Sequence, residues 1–144
     1  MRKRTLAREI ALQALYQLEI KSKIAPVAPE DLESFFHTQT KNQPVIEFAR
    51  LLLQGVSQNQ NKIDSLIQET AHNWEFSRLA ILDKNILRLA IYELLFCDDI
   101  PPAVSINEAV DLAKKYGSAE SGAFVNGILD KIAPNKPETP KTGK

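Results

Sequence analysis

The chain has 144 residues, a length typical of a single domain with its own core. Hydrophobic residues make up 44% and charged residues 25%, as in soluble globular proteins, and the only cysteine, Cys97, excludes an internal disulfide. The 18 basic and 18 acidic residues cancel but are segregated, with net charges of +4 on residues 1–8, −7 on residues 9–130 and +3 on residues 131–144.

The first segment, MRKRTLAREIALQALYQLEI, begins with basic residues as a secretion signal does. Its apolar stretch is interrupted by polar residues, which a signal excludes: Glu9, Gln13, Gln17 and Glu19. Apolar residues instead recur every three or four positions, which predicts an amphipathic helix with Arg4 and Arg8 on one side. No apolar run reaches the ~20 residues of a membrane span, so we expect a cytoplasmic protein.

Prolines and polar runs divide the middle of the chain. KSKIAPVAP (residues 21–29) is typical of a linker, and Pro29 is well placed in the first turn of a short helix. A longer helix is predicted from Pro44, and the polar run at 58–61 marks a boundary before a further helix at 62–70.

The most apolar helix is predicted after residue 77. Ser77 is expected to cap a short turn, and Asp83 to be the N-cap of the following helix. That helix is apolar around most of its girth, so we expect it to be central and buried. Cys97 at its end is expected to be a small buried hydrophobe.

Two more helices are predicted at the end of the chain. Ser105 and Glu108 form an S-x-x-E pattern typical of a capping box, and Gly117 suits the end of that helix. The last helix is expected to end at Pro134, and the polar, proline-rich residues 134–144 to be a disordered tail.

These patterns predict an all-α domain of about seven helices over residues 1–133. Signals for catalysis are nearly absent: His37 and His72 have no metal-ligand spacing, and no phosphate-binding or nucleophile motif occurs. The adjacent Asp98 and Asp99 have no third group to make an acid–base pair. We therefore expect no enzyme, no metal and no cofactor.

Nucleic-acid binding is better supported. Basic residues at the N-terminus suit phosphate contacts, which add affinity without reading sequence. Specific recognition of single-stranded RNA also needs aromatic side chains for stacking, and Tyr16 and Phe124 are candidates. For aromatic residues at helical spacing a position in the core is usually favoured, so periodicity alone assigns neither ring to RNA binding.

Three blocks of the sequence resemble the NusB family of bacterial transcription antitermination factors. They are RKR…REIALQALYQ at the start, ILRLAIYELLF in the middle, and INEAVDLAKKYG followed by FVNGILDKI near the end. INEAVDLAKKYG and FVNGILDKI at their mutual spacing are the most specific, and the resemblance covers residues 2–134.

This resemblance implies a fold of two packed helical sub-bundles. It also implies binding to boxA, a short single-stranded RNA element of ribosomal RNA leaders, together with a small-subunit ribosomal protein, NusE. The complex would join RNA polymerase and other Nus factors to suppress termination. Neither a membrane nor a catalytic step is implied.

The resemblance also implies individual site residues. Those matched to RNA binding are Arg2, Lys3, Arg4, Arg8, Tyr16, Glu120, Ser121 and Phe124. Asp83 is the candidate contact for the protein partner. The chain departs from some relatives at Ala123, where they have a basic residue, and in its shorter arginine run.

Two alternatives compete with this function. The chain could be a helical adaptor in ribosomal RNA processing or ribosome assembly that does not read RNA, and its partner binding would then be insensitive to salt. NusB-like domains also occur fused to RNA cytosine methyltransferases, but we expect no catalytic domain in the short stretch after the last predicted helix.

Overall fold

The computed structural model describes residues 2–20, 29–71 and 75–133. These residues form helices and no strand, which confirms the predicted all-α class. The predicted linker at 21–28 and tail at 134–144 lie outside them. The helices are α1 (Lys3–Ile20), α2 (Pro29–Gln39), α3 (Gln43–Gln58), α4 (Gln60–Thr70), α5 (Ile81–Phe96), α6 (Pro102–Tyr116) and α7 (Ala119–Ile132), with a 3₁₀ turn at Phe76–Arg78.

The helices pack in two groups. α1, α2 and α3 contact one another, and α4 to α7 form the second group. α5 also packs against α1 and α3, so it is shared by both groups. This arrangement confirms the two packed sub-bundles that the resemblance implies.

The central position of α5 is confirmed by its burial. Eleven of its residues are buried, which is more than one face of a helix can supply. Ile86, Leu87, Ile91 and Leu94 are at most 1% exposed. Cys97, which follows the helix, is buried as predicted.

Two predicted helix caps are wrong. α5 begins at Ile81 after Ala80, so Asp83 lies in the first turn and does not cap the helix. α6 begins at Pro102, because proline is pre-organised for a first turn, and Ser105 therefore lies inside the helix. The Ser105 hydroxyl donates a hydrogen bond to another helix instead.

Other helix ends are set by short polar residues and glycine. The side chain of Asn42 accepts a hydrogen bond from the Val45 N–H at 3.1 Å and caps α3. Gly117 ends α6, as predicted. Ser77 lies within the 3₁₀ turn and does not cap a turn, because extended backbone at Leu79 leads directly into α5.

Arg88 on α5 joins the two groups of helices through buried ion pairs. Its guanidinium donates to Asp64 of α4 at 2.9 and 3.1 Å and to Glu19 of α1 at 2.7 Å. A further N–H donates to Oδ1 of Asn85 at 2.9 Å. Removal of one partner from such a buried network costs about 3–5 kcal/mol, so these contacts fix how α1 and α4 meet α5.

Candidate nucleic-acid interface

Three of the predicted RNA-binding cations, Arg2, Lys3 and Arg4, are exposed at the start of α1. We call these three residues the basic head. The Arg4 guanidinium lies 4.4 Å from the ring centroid of Phe48 and 3.5 Å from the Asp99 carboxylate. This ion pair is exposed and therefore weak, so a phosphate could compete for Arg4.

A groove of 450 Å³ runs beside the basic head. One wall is the head with Thr5 and Arg8 of α1, and the other is the connection from α5 to α6 with the first turns of α6. The groove is mixed in charge, since carboxylates stand among its cations. The residues of the second wall are Asp99, Ile100, Pro101, Val104 and Glu108.

Arg8 does not belong to the exposed cations. Its side chain is buried, and Nε and Nη2 donate to the two carboxylate oxygens of Glu93 at 2.7 and 2.9 Å. Glu108 lies 3.3 Å from Nη1. Arg8 lines the groove beside the basic head, but its hydrogen-bonding groups are held by these two carboxylates, and its contact with RNA stays a prediction.

The surroundings of Arg8 explain why a charge can be buried there. Burial opposes its ionisation, but hydrogen bonds and Coulomb attraction from Glu93 and Glu108 outweigh burial, so the pKa of Arg8 is raised. Ser105 donates to Glu93 at 2.7 Å, and Thr5 donates to Glu108 at 2.9 Å. The network joins α1, α5 and α6 directly below the basic head.

A second concavity lies further along α1. It has a volume of 250 Å³, and Tyr16, which is 51% exposed, stands beside Tyr116 of α6 in its lining. Tyr16 is therefore available for stacking, and its alternative core position is excluded by this exposure. The full lining is Leu12, Gln13, Tyr16, Gln17, Leu82, Asn85 and Tyr116. We call this site the tyrosine cavity.

Phe124 occupies an intermediate position on α7. It is partly buried and packs against the hydrophobic core. The structure therefore combines the two alternatives for this ring: part of it stabilises the fold and part of it remains accessible.

Asp83 and Ser121 form a small polar cluster where α5 meets α7. Glu120 is exposed in the first turn of α7, and Ser118 caps that turn by accepting the Ser121 N–H at 3.1 Å. Burial raises the pKa of Asp83, and the side chain of Ser121 offsets part of that rise. The residue expected to contact the protein partner is thus adjacent to one expected to contact RNA.

The polar cluster adjoins the tyrosine cavity. A methyl group built on Gly117 would lie 2.9 Å from Ser121 Oγ and 3.0 Å from Leu82 Cδ2. Leu82 also lines the cavity. The structure therefore brings Tyr16, Asp83 and Ser121 into one region.

Three residues of this region are not identified by the sequence patterns. Gln13 and Gln17 interrupt an apolar run, but their spacing also places them beside Tyr16 on one face of α1. Tyr116 stands between two lysines and the glycine that ends α6. The sequence signal that could have identified Tyr116 is an aromatic residue in the last turn of a helix whose end is otherwise polar.

Metal binding, membrane insertion and thiol chemistry find little support among the described residues. Histidine, cysteine, aspartate and glutamate form no group of three there that could hold a metal ion. No helix within residues 2–20, 29–71 and 75–133 is both long and apolar enough to cross a membrane. Burial, together with Glu93 and Asp99, raises the pKa of Cys97 to about 11, so this thiol is a poor nucleophile.

Comparison with known proteins places the chain among proteins of the same architecture. Residues 5–134 match the NusB family. A transcription antitermination protein NusB from Syntrophus aciditrophicus is 47% identical over 132 residues, covering 92% of this chain and 80% of the relative. The structure of T. maritima NusB superposes with a TM-score of 0.81 at 39% identity, covering 96% of this chain and 94% of that one.

A further solved structure is a complex of the antitermination factors NusB and NusE with double-stranded RNA. Its matching chain superposes with a TM-score of 0.79 at 31% identity, covering 94% of this chain and 98% of that one. The identity, the coverage and the shared fold agree, and the chain belongs to the NusB family.

Proposed function

We propose that this protein is a transcription antitermination factor that binds boxA-type single-stranded RNA along the exposed face of α1. It does so together with a small-subunit ribosomal protein of the NusE kind. The RNA–protein complex then joins RNA polymerase and other Nus factors. This role belongs to the cytoplasm, and it depends on binding, with no catalytic step.

The observation that carries this proposal is the exposed face of α1. Lys3 and Gln17 are fourteen residues apart, which is close to four helical turns and about 21 Å along the axis. The groove beside the basic head and the tyrosine cavity are both lined by residues of α1 and α6, at different ends of these helices. One surface thus offers cations for phosphates at one end and exposed rings and amides for bases at the other.

The two ends of this surface supply different contributions to binding. The basic head adds affinity for any RNA, and this affinity falls with salt as counterions return to the phosphates. Stacking on an aromatic ring contributes roughly 1–3 kcal/mol per base and depends little on salt. Recognition of a particular RNA therefore depends on the tyrosine cavity and its neighbours more than on the head.

The charge of the rest of the chain suits a basic protein partner. Residues 9–130 carry a net charge of −7, and ribosomal proteins that bind RNA are basic. Asp83 is half-buried and interacts with Ser121, so it supports the polar cluster more than it offers an exposed carboxylate to a partner. We assign attraction of the partner to the acidic body as a whole.

The decisive experiment is a titration with boxA-type RNA and a scrambled RNA, in single- and double-stranded form, with and without the ribosomal protein. Each titration is repeated at two or more salt concentrations. We expect boxA-type RNA to bind more tightly than scrambled RNA, and the partner to increase that preference. Equal binding of both RNAs, or partner binding that salt does not affect, would favour the adaptor function instead.

A triple variant tests the basic head. Replacing Arg2, Lys3 and Arg4 with Ala should weaken binding to all RNAs and reduce the slope of log K against log salt by about 0.7 for each phosphate that is no longer neutralised. The matched control replaces three exposed cations elsewhere in the chain, Lys41, Lys62 and Arg78. A slope that changes equally in both triple variants would assign the effect to net charge and not to the head.

A further inference from the structure

A buried amide in the tyrosine cavity has an unused hydrogen-bond donor. Asn85 is 0% exposed, and its Oδ1 accepts a hydrogen bond from Arg88 at 2.9 Å. Its Nδ2 has no hydrogen-bond partner among the described residues. A buried donor without a partner destabilises the fold, so its presence in an otherwise well-paired helix needs an explanation.

The orientation of this amide is fixed by chemistry. Arginine can only donate, so the atom of Asn85 that faces Arg88 must be the oxygen. The nitrogen therefore points away from Arg88. Asn85 lines the tyrosine cavity and Arg88 does not, which leaves the NH₂ group on the side of the cavity.

The cavity has the shape and composition of a site for one small ring. Its 250 Å³ is below the ~300–1,000 Å³ typical of pockets for drug-sized ligands. Leu12 and Leu82 supply apolar walls, and Tyr16 and Tyr116 supply aromatic surface. Both tyrosines are about half exposed, and exposed side chains change rotamer within nanoseconds, so a ligand can reach the floor.

We propose that the tyrosine cavity receives one unstacked base of the bound RNA and that Asn85 Nδ2 donates to a carbonyl oxygen on the edge of that base. This inference rests on the proposed RNA-binding function and adds a specificity-determining residue to it. A donor at this point favours keto bases over amino bases. Uracil has an oxygen where cytosine has an amino group, and guanine and adenine differ in the same way.

The variant that tests this is Asn85→Asp. It is nearly isosteric and keeps an oxygen for Arg88, but it replaces the donor that faces the base with an acceptor. Each position of a boxA-type RNA is exchanged between uracil and cytosine, or guanine and adenine, and the affinities are compared. We expect the wild type to prefer the keto base by about tenfold at one position, and the variant to lose or reverse that preference there.

Two further variants separate base reading from charge and folding. Asn61→Asp adds the same charge at an exposed site on α4, outside the cavity, and should weaken all RNAs alike without changing any preference. Gln13→Trp places a large ring at the cavity while Asn85 stays intact, and should abolish the same keto preference. It provides the test if Asn85→Asp does not fold.

The outcomes also separate this inference from the function on which it rests. If Asn85→Asp binds RNA with every keto preference of the wild type intact, the inference is overturned and the proposed function stands. If the wild type binds boxA-type and scrambled RNA equally, the proposed function fails and the inference fails with it. Loss or reversal of the keto preference at a single RNA position supports both the inference and the proposed function.

Discussion

The two ends of α5 bury polar groups in opposite ways. Near its C-terminal end, Glu93 accepts two hydrogen bonds from Arg8 and one from Ser105, so both of its oxygens are paired. Near its N-terminal end, Asp83 Oδ1 and Asn85 Nδ2 are buried with no hydrogen-bond partner among the described residues. Buried polar atoms therefore occur at both ends, while their pairing differs.

This difference separates stability from recognition along one helix. A network in which every buried polar group has a partner gains little from a ligand, and it holds α1 and α6 in place. An unpaired buried group destabilises the fold, but that loss is recovered when a ligand supplies the missing partner. We therefore expect the paired end to control stability and the unpaired end to control binding.

The largest effect is expected at the paired end. Glu93→Ala removes the main partner of buried Arg8 and should reduce the free energy of unfolding by about 3–5 kcal/mol, because the buried guanidinium loses a bidentate carboxylate and keeps only Glu108 among the described carboxylates. Urea denaturation measures this as a lower midpoint. A loss of under about 1 kcal/mol would mean that water reaches Arg8, and would remove the contrast between the two ends.

A smaller loss is expected where α3 packs on the same half of α5. A methyl group at Gly55 would lie 2.1 Å from Tyr92 Cζ, so Gly55→Ala forces the ring to move and should cost about 1–3 kcal/mol. The control is Gly127→Ala on α7, where nothing lies within 4 Å. It should gain about 0.5–1 kcal/mol, since alanine favours helix. Equal midpoints in urea for both variants would contradict the tight contact.

At the unpaired end, stability should increase when a charge is removed. Burial raises the folded-state pKa of Asp83 above 3.8, so its ionisation destabilises the folded protein. The stability that its neutral form provides is complete below pH 3.8 and is lost as pH rises through the raised pKa. Asp83→Asn should therefore be more stable than wild type at pH 7. The gain should be smaller than the losses expected for Glu93→Ala and Gly55→Ala.

The pH dependence itself is the measurement. Urea midpoints of Asp83→Asn and the wild type, compared from pH 7 downward, should converge as pH approaches the ordinary aspartate value. A difference that is constant across this range would show that a contact other than the charge is responsible.

The smallest effect is expected at the exposed ion pair between Arg4 and Asp99. Asp99→Ala should change the free energy of unfolding by less than about 1 kcal/mol, because the pair lies in water. It should instead strengthen RNA binding at low salt, since one repelling charge is removed and Arg4 is released. Binding that weakens would show that Asp99 positions Arg4 and does not compete with phosphate.

The sequence predicted the elements and the family more reliably than the direction of single side chains. Residues 81–96 are apolar around most of the helix circumference. This was sufficient to identify the central helix, because a helix that is buried on all sides needs apolar residues on all sides. Arg4 and Arg8, four residues apart, were expected to act alike. One is exposed and the other is buried, because Arg8 pairs with Glu93, 85 residues further along the chain.

The tyrosine cavity could not be predicted from the sequence, for a related reason. It is built from α1, α5 and α6, and only the packing of these three helices brings Tyr16, Asn85 and Tyr116 together. The S-x-x-E pattern at Ser105 led to a wrong prediction for a different reason. It is a correct local signal, but the helix begins earlier at Pro102, and the serine serves a contact between helices.

The buried Cys97 makes the protein its own reporter of local opening. It is the only cysteine in the chain, it directly follows the paired end of α5, and its pKa is raised to about 11. A thiol reagent can modify it at neutral pH only while that end of the helix is transiently open. The rate of labelling would therefore report how often the paired end of α5 opens, without any engineered probe.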